Sequence, residues 1–342
     1  MNLPEGTTRI SGETRPVQPS SSANEAVAEF QARLEENTKA TPAGQRELLA
    51  AARKALASRF LQGEAVEALV SAEAGLVDVL ITYLWRRAGI ADDVTLVAVG
   101  GFGRGELQPC SDVDILVLLP ASDAPTDAIT TFVTSLWDTG LEIGHSVRTV
   151  ADCQREAGAD VTIATTLMES RVLAGPAALF TTMLAATASD QIWPSREFFT
   201  AKREEQRLRH RRYGDTGYNL EPNVKGSPGG LRDIQMVGWV AQRHFGSGDL
   251  EGLRKHGFLS AGQLEKLLQG RHFLWTLRYA LHVLTGRRED RLLFDHQKTL
   301  ASMLGYEDAR FTLGVEQMMQ RYYRTVMDLS RLNEMLLQQF EE

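Results

Sequence analysis

The sequence predicts an α+β protein: a small mixed sheet flanked by helices and followed by an all-helical region. Three observations predict it. The runs QRELLAAARKALASRFL and EAVEALVSAEAGLVDVLITYLWRRAG carry apolar residues at three- and four-residue spacings and hold no proline. Short β-branched apolar segments then replace that pattern between about residues 94 and 150. From Trp193 onward the chain returns to helical spacing almost to its end.

The elements follow in order. The first 25 residues are polar and rich in Pro, Ser and Thr, and read as a disordered tail. Residues 26–92 read as N-terminal helices, 93–190 as the mixed α/β core and 191–342 as a helical domain. VTLVAVG (Val94–Gly100) and DVDILVLLP read as buried strands. DAITTFVTSLWDTG reads as a helix ended by Gly140, and LEIGHSVRTV (Leu141–Val150) as a third strand. DVTIATTLMESRVLAGPAALFTTMLAAT reads as helix in two pieces, broken around Gly175–Pro176. SREFFTAKREEQRLRHRRYG is a long polar helix, and GDTGYNLEPNVKGSPGG a Gly-, Pro- and Asn-rich loop. Three amphipathic helices complete the chain: LRDIQMVGWVAQRHFG, SAGQLEKLLQGRHFLWTLRYALHVLTG and FTLGVEQMMQRYYRTVMDLSRLNEMLLQQF. The last has no cap, which leaves a truncated chain and a natural fraying end equally open.

The chain has 342 residues, enough for two ordinary domains. Its formal charge of −7 argues against generic nucleic-acid binding, which rests on a basic footprint. Two cysteines, Cys110 and Cys153, exclude a disulfide framework and suit a reducing cytoplasm. No run approaches the ~20 apolar residues of a membrane span, and the N-terminus lacks the apolar core of a signal peptide.

The chemistry concentrates in GGFGRGELQPCSDVDILVLLP, Gly100–Pro120. Residues i and i+2 of a strand face one way, so Asp112 and Asp114 bring two like charges to one side of a buried strand. Unpaired, they repel and resist desolvation. A divalent metal offsets both, and two metals about 3.5–4 Å apart serve the attacking and leaving oxygens of a phosphoryl-type displacement. The glycines let backbone N–H groups approach an anion, with Arg104 and Ser111 as added donors. Cradle and carboxylate pair together describe a nucleoside triphosphate with its magnesium. A P-loop is excluded because no Gly-Lys-Ser/Thr follows, and a dinucleotide fingerprint because Glu106 stands where its third glycine should be.

Gly100-Gly101 followed by Asp112-x-Asp114 resembles the signature of the nucleotidyltransferase superfamily typified by DNA polymerase β. The blocks GGFGRGELQPCSDVDILVL, LEIGHSVRTVADC, TIATTLMESRVLAG and EPNVKGSPGGLRDIQMVGWVAQRHFG resemble the bifunctional uridylyltransferase/uridylyl-removing enzymes of bacterial nitrogen sensing, across roughly residues 40 to 340. The resemblance implies transfer of UMP from UTP to a tyrosine hydroxyl of the PII signal protein, with release of pyrophosphate, in the cytoplasm of a bacterium. It implies Mg²⁺ (or Mn²⁺) on Asp112 and Asp114, and the triphosphate on Gly100, Gly101 and Ser111. The family's third carboxylate falls to Glu142, with Glu169 in reserve. No His-Asp dipeptide occurs, so the family's HD hydrolase and its ACT sensor domains are expected to be absent.

Lys225 and Arg232, beside the Gly-Ser-Pro-Gly-Gly turn, are candidates to close over the nucleotide or PII. The family pattern Lys-Glu-Gly-Pro-Gly-Gly is replaced here by Lys225-Gly226-Ser227-Pro228, which leaves the acidic position unfilled. The bland readings carry more weight elsewhere: His145 as a partly buried histidine, Lys202–Arg212 as a solvated helix face, Cys110 as a small residue in the motif. Neither nucleic acid nor membrane is expected as a partner. Two alternatives remain: another nucleotidyltransferase, for example one adenylylating a protein, and a non-enzymatic nucleotide-binding regulator.

Overall fold

The structure, a computed structural model, describes residues 21–36, 41–122, 126–246, 250–255 and 257–341. They form two compact units that meet in sequence at Ile192 and Trp193.

The first unit opens with three helices packed on one another, α1 (Ser21–Glu36), α2 (Pro42–Leu61) and α3 (Val66–Arg87). α1 starts within the stretch expected to be a tail; residues 1–20 of that stretch lie outside the described residues. Thr41 caps α2 by accepting from Gly44 N at 3.2 Å, with Pro42 at the first helical position. α3 buries Leu69, Leu76, Leu80 and Ile81 completely. By length and composition it is also long and apolar enough to cross a membrane, an exception to the expectation that no run approaches a span. With 67% of that window buried, α3 has the setting of a core helix.

Then come β1 (Thr95–Ala98), the one-turn α4 (Gly100–Gly103), β2 (Val113–Leu119), α5 (Asp127–Asp138), β3 (Ile143–Thr149), α6 (Val150–Ala159), α7 (Val161–Met168), β4 (Arg171–Ala174) and α8 (Ala177–Ala186). The sheet is mixed, as predicted, in the order β3-β2-β1-β4. β1 runs antiparallel to β2 and β4, and β2 runs parallel to β3. The central strands are buried on both faces, which is why they read as unbroken apolar runs. β4 corrects the expectation of helix on both sides of a break. Four residues are too few to display a period, and they become a strand because β1 has an unpaired side to fill. Gly175 ends β4 with φ +87°, its main chain pressed against Val94 O where a Cβ would overlap.

The second unit holds α9 (Ser195–Arg212), α10 (Leu231–Phe245), α11 (Leu250–Lys255), α12 (Ala261–Thr285), α13 (Phe294–Met303) and α14 (Gly314–Glu341). α11 and α13 add to the helices the spacing predicts. Left-handed Gly246 and Gly286 end α10 and α12, and a Ser260–Gln263 capping box starts α12. α14 packs on α10, α12 and α13 around Trp239, Phe273, Tyr279 and Tyr322.

Candidate active site

The site begins where β1 runs out. Val99 N still donates to Asp114 O at 3.1 Å, so the chain leaves the sheet beside the aspartate. Gly100 then takes φ +60°, a left-handed conformation that L side chains rarely adopt. The turn that follows is closed by Gly103 N donating to Val99 O at 3.0 Å and Arg104 N to Gly100 O at 3.1 Å. A Cβ on Gly103 would overlap the main chain at Glu169, so this glycine allows the turn to sit against the end of α7.

Asp112 stands immediately before β2 and Asp114 is its second residue. The parallel register pairs Asp114 with Gly144. A Cβ on Gly144 would overlap Asp114 Oδ1, and one on Gly100 would lie 3.7 Å from Asp114 Oδ2. The Asp114 carboxylate therefore rests between two glycines, one oxygen over β3 and the other toward the turn. Ser111 N closes the preceding turn on Gln108 O at 3.0 Å. Glu142 is exposed just ahead of β3, and its carbonyl accepts from Val113 N at 2.9 Å, which sets it beside the Asp112–Val113 step. Among the described residues no three His, Cys, Asp or Glu side chains are gathered so as to hold a metal ion. Asp112 and Asp114 offer hard oxygen donors of the kind that magnesium and manganese take.

Arg104 is bound on two sides. Its Nε lies 2.7 Å from Glu106 Oε2 and its Nη1 2.6 Å from Glu169 Oε2. Burial alone would lower the guanidinium; the two carboxylates outweigh it and raise it. The structure thus gives Arg104 a bracing role at the turn and makes Glu169 its partner. Arg171, two residues from Glu169, donates to Asp78 at 2.7 Å and to Phe102 O at 3.2 Å. Both arginines tie the glycine turn to the end of α7 and the start of β4. His145 pairs with Ile115 in the register, one residue off Asp114 and Gly144, so it lies on the opposite face. There its ring meets Trp137 edge-on at 5.6 Å.

Beneath Cys110 lies a group that the sequence did not single out. Leu107 N donates to Val70 O at 3.3 Å, which lays the segment leading to Asp112 on α3. One turn on, fully buried Glu73 pairs with Arg53 at 3.1 Å, while its Oε1 has no hydrogen-bond partner among the described residues. Burial raises the Glu73 carboxyl from 4.5 to about 7, against the pull of Arg53. Burial likewise pushes the Cys110 thiol up, so it is not an activated nucleophile. An acid whose folded value is raised binds more protons folded than unfolded between the two values. Stability is therefore expected to fall as pH rises from about 4.5 to about 7, by on the order of 3 kcal/mol. Urea unfolding across that range measures the slope, and Glu73→Gln should flatten it.

Lys225 and Arg232 belong to the other unit, where they stand next to each other: Arg232 N donates to Lys225 O at 2.9 Å. The loop that carries them is tied down by hydrogen bonds. Asn223 Oδ1 accepts from Lys225 N and Gly226 N at 3.0 and 2.7 Å. Gly229 N donates to Asp233 Oδ2 at 2.7 Å, and a Cβ on Gly229 would overlap the main chain of Val326. Asp233, itself buried, also accepts from Gln206 and Arg209 at 3.0 Å and pairs with His210. Burial alone would raise its carboxyl, but His210, Arg209 and Gln206 outweigh that and hold it below the ordinary carboxylate range. The run Lys202–Arg212 is thus a solvated face only in part. Lys202 and Gln206 are buried, and Lys202 Nζ lies over the Trp239 ring, as does the Arg232 guanidinium, at 4.3 and 5.2 Å. The signal was present in the spacing Lys202, Gln206, Arg209, one stripe of a helix.

Residues 78–142 match the family described as "Nucleotidyltransferase domain", and residues 197–337 match "GlnD PII-uridylyltransferase". Curated relatives include the bifunctional uridylyltransferase/uridylyl-removing enzyme of Pseudomonas aeruginosa strain UCBPP-PA14, 53% identical over 85% of this chain and 33% of the relative. The enzyme of the same name from Stutzerimonas stutzeri strain A1501 is 49% identical over 92% of this chain and 35% of the relative. That from Azotobacter vinelandii is 48% identical over similar shares, 92% and 35%. The chain spans about a third of the length of these relatives.

Proposed function

This chain carries a nucleotidyltransferase domain followed by a domain of the GlnD PII-uridylyltransferase family, and from that we propose that it transfers UMP from UTP to a tyrosine hydroxyl of a PII signal protein. The tyrosine oxygen forms a bond to the α-phosphorus, the bond from that phosphorus to the β-phosphate's bridging oxygen breaks, and pyrophosphate leaves. The amides of the Gly100–Gly101 turn and Ser111 hold the triphosphate. Asp112 and Asp114 hold the divalent metals, and Glu142 completes the set and takes the hydroxyl proton. Bound there, magnesium or manganese offsets charge on the α-phosphate and on the departing pyrophosphate. Lys225 and Arg232, presented by a tied loop of their own unit, offer cationic groups for an anionic ligand there. The observation that carries this reading is the Asp114 carboxylate resting between Gly100 and Gly144, with the glycine turn beside it.

A second reading, a nucleotide-binding regulator without turnover, draws on the absence of a three-ligand cluster among the described residues. Intact mass spectrometry of PII incubated with the chain, Mg²⁺ and UTP separates the two, with ATP in a parallel tube. One uridylyl group added per PII subunit is the expected result. Addition from ATP alone would replace the substrate, and UTP binding without any addition would favour the regulator.

A further inference from the structure

β3 is an edge of the sheet. Val113 N donates to Glu142 O, so in this parallel pair the even-numbered residues of β3 turn their main-chain groups toward β2. Ile143, His145 and Val147 turn theirs outward. An edge is usually blunted by lysine, proline or a bulge. IGHSVRT has neither lysine nor proline, its pairing with β2 is unbroken from Ile143 to Thr149, and its single arginine, Arg148, is bound to Glu156 at 2.6 Å.

The edge is continuous with the site. Asp114 is on β2, yet its Oδ1 lies over Gly144 of β3, one strand nearer the edge. A strand added beside β3 would run about 4.8 Å farther out. Its inward side chains would share a face with Gly144, which has no side chain to bar the way to the Asp114 carboxylate. Its alternate side chains would meet the opposite face, where Trp137 is 53% and Val147 38% exposed beside His145. Such a strand offers main-chain hydrogen bonds for affinity and alternating pockets for choice of sequence.

We infer that the acceptor protein presents its tyrosine on an extended segment that pairs with the free edge of β3, placing the hydroxyl over Gly144 beside Asp114. This rests on the transfer reaction proposed above and adds how the acceptor is held. It also makes Trp137 and His145 determinants of which segments are accepted.

Val147→Pro tests it, because proline removes an outward N–H that an edge strand does not need for its own sheet. Val147→Thr keeps that N–H and reports on the side chain alone. The expected result is a rise of tenfold or more in KM for PII with Val147→Pro, with little change for Val147→Thr and with UTP affinity and unfolding midpoint retained. Hydrogen exchange should show the Ile143, His145 and Val147 amides slowed by PII in the unsubstituted chain. Unchanged kcat/KM in the proline variant, or no slowing of those amides in a chain that does transfer UMP, overturns the inference. A dimer of this chain that is lost in Val147→Pro, with kcat/KM unchanged, assigns the edge to a second copy and also overturns it. No transfer by the unsubstituted chain instead overturns the proposed reaction, and this inference with it.

Discussion

Asp114→Asn is expected to abolish the proposed UMP transfer, lowering kcat by on the order of 10³-fold or more. Asparagine keeps the size of the side chain and one carbonyl oxygen but removes the charge, and with it the ability to hold a divalent cation against the triphosphate. The cost to folding should be small. Asp114 is only partly buried, and the ladder bond between Val99 N and Asp114 O belongs to the main chain and is untouched by the substitution. Calorimetric titration with Mg²⁺ and UTP, alongside thermal unfolding, distinguishes the outcomes. Weakened metal-dependent UTP binding with an unchanged midpoint is expected. Transfer at the normal rate would remove Asp114 from the metal set.

Gly144→Ala is expected to cost nearly as much, about 10²-fold or more, although it adds a single methyl group and removes no charge. The new Cβ would occupy the space of Asp114 Oδ1. The atom it meets is the far end of a side chain, so the carboxylate swings aside and the sheet stays intact. A displacement of about 1 Å at a reacting centre is enough for a loss of this size. Alanine is otherwise the better strand residue by roughly 0.5–1 kcal/mol, so stability should hold or rise. Lost activity with a retained unfolding midpoint is the expected signature. Normal turnover would mean that the carboxylate has room to work elsewhere.

Much of the site is legible in the amino-acid sequence. Gly100, Gly101, Asp112 and Asp114 stand within one short stretch, and their spacing along the chain already implies a turn feeding a strand. β1 and β2 are legible for a similar reason, since burial on both faces leaves an apolar run in the strand itself. α10 and α12 are legible from their spacing and from glycines at their ends. The family resemblance rests on the same local blocks, and the matches over residues 78–142 and 197–337 agree with it.

Other features depend on what lies across from them. RVLA is a strand only because β1 has an open side, and four residues carry no period to reveal it. Arg104 stands in the motif as a free donor would, yet Glu169, distant in sequence, takes one side of its guanidinium. The Gly-Ser-Pro-Gly-Gly loop has the composition of a mobile lid, but a buried carboxylate at Asp233 ties it down. Glu73 reads as one more charge on a helix until Arg53 and the segment before Asp112 cover it.

The sequence by itself determined the fold class, the glycine turn, the aspartate pair and the kinship, because each is written in residues close along the chain, where backbone preference and periodic burial act. Only the tertiary structure decided that Asp114 leans over Gly144 toward an open edge, that Arg104 braces the turn and that Asp233 anchors a loop. Those outcomes follow from short-range forces between residues far apart in sequence: overlap, desolvation and ion pairing act over a few ångströms, and only the folded chain brings these groups that close.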